Sequence, residues 1–222
     1  MAENPIAEKV ARMERDPRRV SAYVAKHARA GDPADVLATM DRYAVEEAFL
    51  MNLGPDKGDL VQELFAKLPQ PARVLELGAY CGYSAVLFAS TLGPEGRLVS
   101  LEVGAESVEA ARANVAHAGL ADRVEIIQGD SGETIPTLEG QFDLVFLDHW
   151  KDLYKRDLLA IEARGLLKPG SLVVADNVGP HFDPTEYLEY VRGCGHYACE
   201  HRESTIEYSD EPDAVEIAVY TP

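Results

Sequence analysis

From residue 72 onward the chain alternates short apolar runs with segments of helical spacing. Ala72–Leu77, Leu98–Glu102, Arg123–Ile127, Phe142–Leu147 and Ser171–Ala175 are runs of about the length of a strand buried on both faces. Residues 82–92, 105–118, 132–138, 152–166 and 184–192 follow them with apolar positions at helical intervals. Five strand–helix units in succession predict a parallel sheet covered by helices. The last thirty residues change period. Tyr197–Tyr208 and Ala214–Tyr220 read as two long strands joined by Ser209-Asp210-Glu211-Pro212-Asp213, a hairpin that adds an antiparallel edge. The expected fold is therefore α/β and Rossmann-like, a seven-stranded, mostly parallel sheet with an antiparallel C-terminal hairpin.

Ahead of the sheet, residues 5–68 read as helices broken at Pro17 and at Gly31-Asp32-Pro33. Val36, Leu37, Met40, Tyr43 and Ala44 form one apolar stripe, and Leu60, Val61, Leu64, Phe65 and Leu68 another. Between them MNLGPDKG, Met51 to Gly58, reads as a turn-rich loop with exposed apolar residues, either a plain connection or a wall over a ligand. The expected organisation is one domain over 1–222, with a helical cap over 1–68 and a core over 72–222.

Composition narrows the partners. A net charge of −17 repels phosphate backbones, which argues against nucleic acid and anionic membranes. No apolar run approaches spanning length, and MAENPIAEKV lacks a signal-peptide core. Three cysteines, Cys81, Cys194 and Cys199, form no CxxC pair and suit a reducing cytoplasm. The expected partner is a small molecule, and the expected assembly a monomer or weak homo-oligomer.

The chemistry gathers where strands end. VLELGAYCGYS, Val74 to Ser84, is strand, glycine turn and helix start, with Gly78 and Gly82 spaced as G-x-x-x-G. Such a turn brings backbone close to a ligand at a helix N-terminus. Without the third glycine of dinucleotide enzymes it suits an adenosine end without diphosphate, and Glu102 stands where a ribose-binding acid belongs. Glu76, Glu102, Asp148 and Asp176 all sit at strand ends. Asp148, Asp176 and Asn177 form a hard-oxygen set that suits Mg²⁺, to which His149 would be foreign. Lys151, three residues after Asp148, would overhang that cation, where its neutral form is favoured and can accept a proton. Trp150 is expected near a loop lining a pocket, and Glu207 and Tyr208 at the end of a strand returning to the site. CGHYACEH invites a zinc reading, but Cys194 and His196 would face away from Cys199 and His201 on an extended segment.

VLELGAYCGYSA, FLDHWKD and ADNV, with GDPADVL, the MN-x-G-x-x-KG loop, YVRG and the late IEY, closely resemble the catechol O-methyltransferases from about residue 17 onward. The resemblance implies a class I methyltransferase fold with S-adenosylmethionine against Met51, Leu53, Glu76, Gly78, Tyr80, Tyr83, Ser84, Glu102, Val103, Ser131, Asp148, His149 and Trp150. It implies Mg²⁺ on Asp148, Asp176 and Asn177, and a catechol among Phe49, Trp150, Lys151, Asn177 and Glu207. Lys151 would be the general base, and Glu207 would hold the second hydroxyl. Three departures stand out. Phe49 takes the place of a lip tryptophan, Gly132 that of a glutamine on adenine, and the loop GPHFDPTEY keeps only Pro180 as a lip proline. Methylation of caffeoyl-type diols is the near alternative. A nicotinamide-dependent oxidoreductase is the distant one, short of a glycine and of a Tyr-x-x-x-Lys pair.

Overall fold

The computed structural model describes residue 9 and residues 11–222, so residues 5–8 and 10 of the expected helical preface lie outside the described residues. Helices α1 (Pro17–His27), α2 (Pro33–Glu46) and α3 (Gly54–Phe65) precede the sheet. The prolines that read as breaks are helix starts. Pro17 and Pro33 each occupy the first turn, behind Asp16 and Asp32 side chains that accept from Arg18 N and Asp35 N. α3 begins six residues ahead of its apolar stripe. Pro55 and Asp56 favour a first turn, so GPDKG is helix rather than loop.

The sheet follows the predicted alternation. β1 (Arg73–Leu77), α4 (Tyr83–Thr91), β2 (Arg97–Glu102), α5 (Ala105–His117), β3 (Val124–Gln128) and the short α6 (Ser131–Thr134) lead to β4 (Phe142–Leu147). Then come α7 (Tyr154–Ala163), β5 (Leu167–Ala175), α8 (Thr185–Gly193), β6 (Tyr197–Thr205) and β7 (Pro212–Tyr220). The strand order is β3-β2-β1-β4-β5-β7-β6, with β7 antiparallel to both neighbours. Order reverses between β1 and β4, and in such sheets ligands bind outside the carboxyl ends there.

Two boundaries differ from expectation. β5 starts four residues early, because Lys168-Pro169-Gly170 is absorbed by a register shift opposite Phe142 and Leu144 rather than ending the strand. The hairpin turn is 206–211, not 209–213. Ile206 N donates to Glu211 O at 2.8 Å, and Tyr208 takes φ +53°. Glu207 and Tyr208 therefore sit in the turn instead of ending a strand, and Asp213 belongs to β7.

Alternate residues of each strand serve opposite cores. Val74, Leu98, Leu144, Phe146 and Val174 pack with α1–α5, while Leu75, Leu101, Val145, Leu147 and Val173 pack with Tyr154, Leu158 and Ile161 of α7 and Tyr187 of α8. Among the described residues no helix is long and apolar enough to cross a membrane.

Candidate active site

The glycine turn is shaped by the protein's own backbone. Gly78 has φ +102°, and a Cβ there would lie 2.6 Å from the Asp148 carbonyl oxygen; Gly82 has φ +84°, and its Cβ would lie 2.9 Å from Ala111 Cα. Both glycines thus let β1 and α4 close against the β4 loop and α5, so the tight approach is first of all internal. Glu102 fastens the turn from the next strand. Its Oε2 accepts from Ala79 N at 3.1 Å and Tyr80 N at 2.9 Å, and its Oε1 from Gly104 N at 2.7 Å. Tyr80, held at φ +45°, donates its hydroxyl to Glu14 O.

Under that turn Glu76 is fully buried. Its Oε2 accepts from Ser100 Oγ on the paired position of β2, and its Oε1 has no hydrogen-bond partner. Burial pushes the carboxyl up to about 7, against the pull of Ser100, which favours the ionised form. On the far side of the turn, Asp157 joins Ser131 Oγ at 2.5 Å and His149 Nε2 at 2.8 Å. The buried His149 Nδ1 has no partner.

Further along the carboxyl edge, β4 and β5 are adjacent, and Asp148 and Asp176 are the first residues past them. Asp148 N donates to Leu77 O at 3.0 Å and Asp176 N to Leu147 O at 2.9 Å, so each acid is tied to the end of the neighbouring strand. Asn177 follows at φ +51°, and its Nδ2 donates to Asp213 Oδ2 at 2.8 Å. Lys151 Nζ lies 3.2 Å from Asp148 Oδ1, with the Tyr154 and Phe182 rings 5.2 and 5.8 Å away. Burial raises the Asp148 carboxyl to about 6 although Lys151 opposes it, and raises that of Glu207 to about 7 although Lys57 opposes it.

Lys57 is the unexpected member. Its ammonium is buried 2.8 Å from Asp176 Oδ1, 2.8 Å from Glu207 Oε1 and 2.6 Å from Asp213 Oδ2. Burial works against that charge, but the three carboxylates outweigh it and hold Lys57 protonated well above the ordinary lysine range. Asp176 Oδ2 is buried without a partner. An uncompensated carboxylate oxygen beside Asp148 and an amide oxygen fits a hard dication. Among the described residues no cluster of three or more His, Cys, Asp or Glu side chains is disposed as a metal site; the set here is two carboxylates and an amide.

The remaining expected contacts divide by exposure. Leu53, Tyr83 and Ser84 are buried around the turn. Phe49 is buried too, beneath Lys9 Nζ at 5.0 Å from its ring, rather than standing on a rim. Met51, Val103 and Trp150 are 41%, 59% and 72% exposed, so these three present open surface. The CGHYACEH residues go elsewhere: Cys194 caps α8, Cys199 Sγ donates to Val191 O and His201 Nδ1 pairs with Glu216.

The O-methyltransferase family pattern matches residues 29–183, more than half of the chain. The chain belongs to the O-methyltransferase family. Bovine catechol O-methyltransferase is 42% identical over 207 residues, covering 91% of this chain and 75% of that one. An O-methyltransferase of Streptomyces achromogenes involved in tomaymycin synthesis, solved in complex with SAM, is 27% identical, covers 95% of this chain and 100% of that one, and superposes with a TM-score of 0.71. A Bacillus cereus O-methyltransferase, 24% identical over 91% of this chain and 97% of its own, shows the same fold at a TM-score of 0.72. The fold is thus that of class I methyltransferases, and membership displaces the nicotinamide-enzyme reading.

For this O-methyltransferase, the sequence missed Lys57, Asp213 and Asp157. Each reads as a solvated loop or helix charge, and only burial betrays it. The available cue was an acid flanked by apolar positions, as in Pro212-Asp213-Ala214; Lys57, between Asp56 and Gly58, gave none.

Glu76 carries a pH signature. An unfolded glutamate titrates near ~4.3. Between that value and about 7 the folded chain binds more protons than the unfolded one, so stability falls as pH rises through this window, and the cost is fully present above it. Relative to the parent, Glu76→Gln is expected to gain about 3 kcal/mol between roughly pH 4 and pH 8, read from denaturant melts. A difference independent of pH would show that Glu76 is ionised in the fold.

Proposed function

We propose that this enzyme transfers the methyl group of S-adenosylmethionine to one hydroxyl of a catechol, with Mg²⁺ on Asp148, Asp176 and Asn177. One observation carries the reading: Lys151 stands 3.2 Å from Asp148 just past β4, and just past adjacent β5 Asp176 offers a buried oxygen with no partner. The curated relatives named as catechol O-methyltransferases support the substrate class, and the SAM complex of the 27%-identical neighbour supports the cofactor.

When bound, the dication supplies charge that favours the ionised diol, and the sulfonium supplies an electrophilic methyl group. The chain does the rest by binding and positioning. Lys151 accepts the proton of the reacting hydroxyl at Nζ. Lys57 is excluded from that role, because three carboxylates hold its proton. Glu207 takes the hydrogen bond of the neighbouring hydroxyl. Glu102, already accepting three backbone N–H groups, receives the ribose, and the unpartnered Glu76 Oε1 suits the ammonium of the amino-acid end. Ser131 and His149 flank the adenine side. Phe49, Met51, Leu53, Gly78, Tyr80, Tyr83, Ser84, Val103 and Trp150 complete the walls. In this reading residues 1–222 form one domain whose helical cap borders the carboxyl edge.

Calorimetric titration tests the cofactor half. S-adenosylhomocysteine is expected to bind at one site per chain and NAD not at all. Binding of NAD alone would overturn the assignment.

A further inference from the structure

Lys57 lies in the first turn of α3, and the reading above gives it no task beyond excluding it as base. Its ammonium lies 2.8 Å from Asp176 Oδ1 and donates to Glu207 Oε1 at 2.8 Å and Asp213 Oδ2 at 2.6 Å, with no exposed surface to speak of. The turn is seated tightly around it. A Cβ on Gly54 would touch Glu207 Cγ at 3.4 Å, and one on Gly58 would press Leu87 at 3.1 Å. Asp213 is held further by Asn177 Nδ2 at 2.8 Å and Gly179 N at 3.1 Å. An ammonium ion-paired with three carboxylates decides where the acids go.

This corner contains four carboxylates, on Asp148, Asp176, Asp213 and Glu207, together with the Asn177 amide. Without a cation of the protein's own among them, more of these acids would be free to turn toward a hard dication and take positions that substrate oxygens need. Lys57 takes one oxygen from each of three of them. What it leaves is the second oxygen of Glu207, Asp176 Oδ2, buried and unpartnered, and the Oδ1 end of Asn177, whose Nδ2 is committed to Asp213.

We propose that Lys57 is a positioning residue that withholds Glu207 and Asp213 from the dication, so that Asp148, Asp176 and Asn177 alone hold the metal and Glu207 stays available to substrate. The inference rests on the reading of this corner as a Mg²⁺ site. Its consequence is a cation held less tightly than the local number of acids allows, with open positions kept for the diol.

The test is electron paramagnetic resonance titration of the full chain with Mn²⁺ as probe, alongside KM and kcat for a simple catechol. The parent chain should bind one Mn²⁺. Lys57→Met, similar in length and uncharged, should bind it about tenfold more tightly or better, because two acids and a removed positive charge both strengthen the site. Mere loss of structure would weaken binding instead. KM should rise in the same variant while S-adenosylhomocysteine affinity holds, and adding Glu207→Gln should reverse the tightening. Should Lys57→Met fail to fold, Glu207→Gln in the parent carries the test: Mn²⁺ affinity within about twofold of the parent, with a raised KM, is expected for a group that is not a ligand. Unchanged or weakened Mn²⁺ binding in folded Lys57→Met overturns the role of Lys57 and leaves the metal site standing, as does a large loss of affinity in Glu207→Gln. Failure of the parent to bind Mn²⁺ overturns the site and this role together.

Discussion

Lys151→Ala is expected to lower kcat for a simple catechol by about three orders of magnitude near neutral pH, within the range found for loss of a positioned base. Lys151 meets one carboxylate at 3.2 Å, whereas Lys57 is held by three and Lys9 Nζ is committed to the Glu207 and Tyr208 carbonyls, so neither of these lysines is placed to take over the proton. KM should move little, because Lys151 is neither a proposed metal ligand nor the partner of the second hydroxyl. Raising the pH should recover part of the rate, since solvent then ionises the diol without help. Single-turnover kinetics from neutral to alkaline pH would read both effects. Full turnover by the variant at neutral pH would remove Lys151 from the mechanism.

Asp148→Ala is expected to reduce turnover by a comparable or larger factor and to leave whatever rate remains insensitive to chelator. Loss of one of three oxygen ligands costs the charge stabilisation that the cation contributes, several kcal/mol at the transition state by the usual measure of metal catalysis, or about a thousandfold. The fold should not suffer. Burial already pushes this carboxyl up to about 6, so its ionised form is a burden on the folded chain that the substitution lifts. Melting temperature therefore serves as the control, and it should stay near the parent value. Chelator-sensitive turnover at the parent rate would show that Asp148 holds no metal.

The sheet was legible because its strands are buried on both faces. Leu144 and Phe146 serve one core and Val145 and Leu147 the other, so the run Phe142–Leu147 admits little but a central strand. Asp148, Asp176 and Lys151 were legible for a related reason: an acid directly after such a run has to lie at the carboxyl edge. What escaped was decided by tertiary closure. Lys57 sits between Asp56 and Gly58 in a stretch that reads as a loop, and nothing local says that three acids from the end of β5, the hairpin turn and β7 will converge on it. Asp213 reads as part of the hairpin turn because Pro212 beside it is by type a turn residue, whereas Pro212 opens β7 and pairs with Thr205 on the edge strand. In sequence the glycines read as points of ligand approach, yet 2.6 Å from a Gly78 Cβ to the Asp148 carbonyl is a packing requirement of the chain itself. Phe49, expected at the lip, is covered by Lys9, a contact far too distant in sequence to foresee.

The most direct measurement is methyl transfer from S-adenosylmethionine to a panel of diphenols, monophenols and caffeoyl esters, with and without EDTA. The account predicts that ortho-diphenols are methylated, that monophenols are not, that EDTA stops the reaction, and that added Mg²⁺ restores it. Equal methylation of monophenols, or a rate indifferent to EDTA, would contradict it.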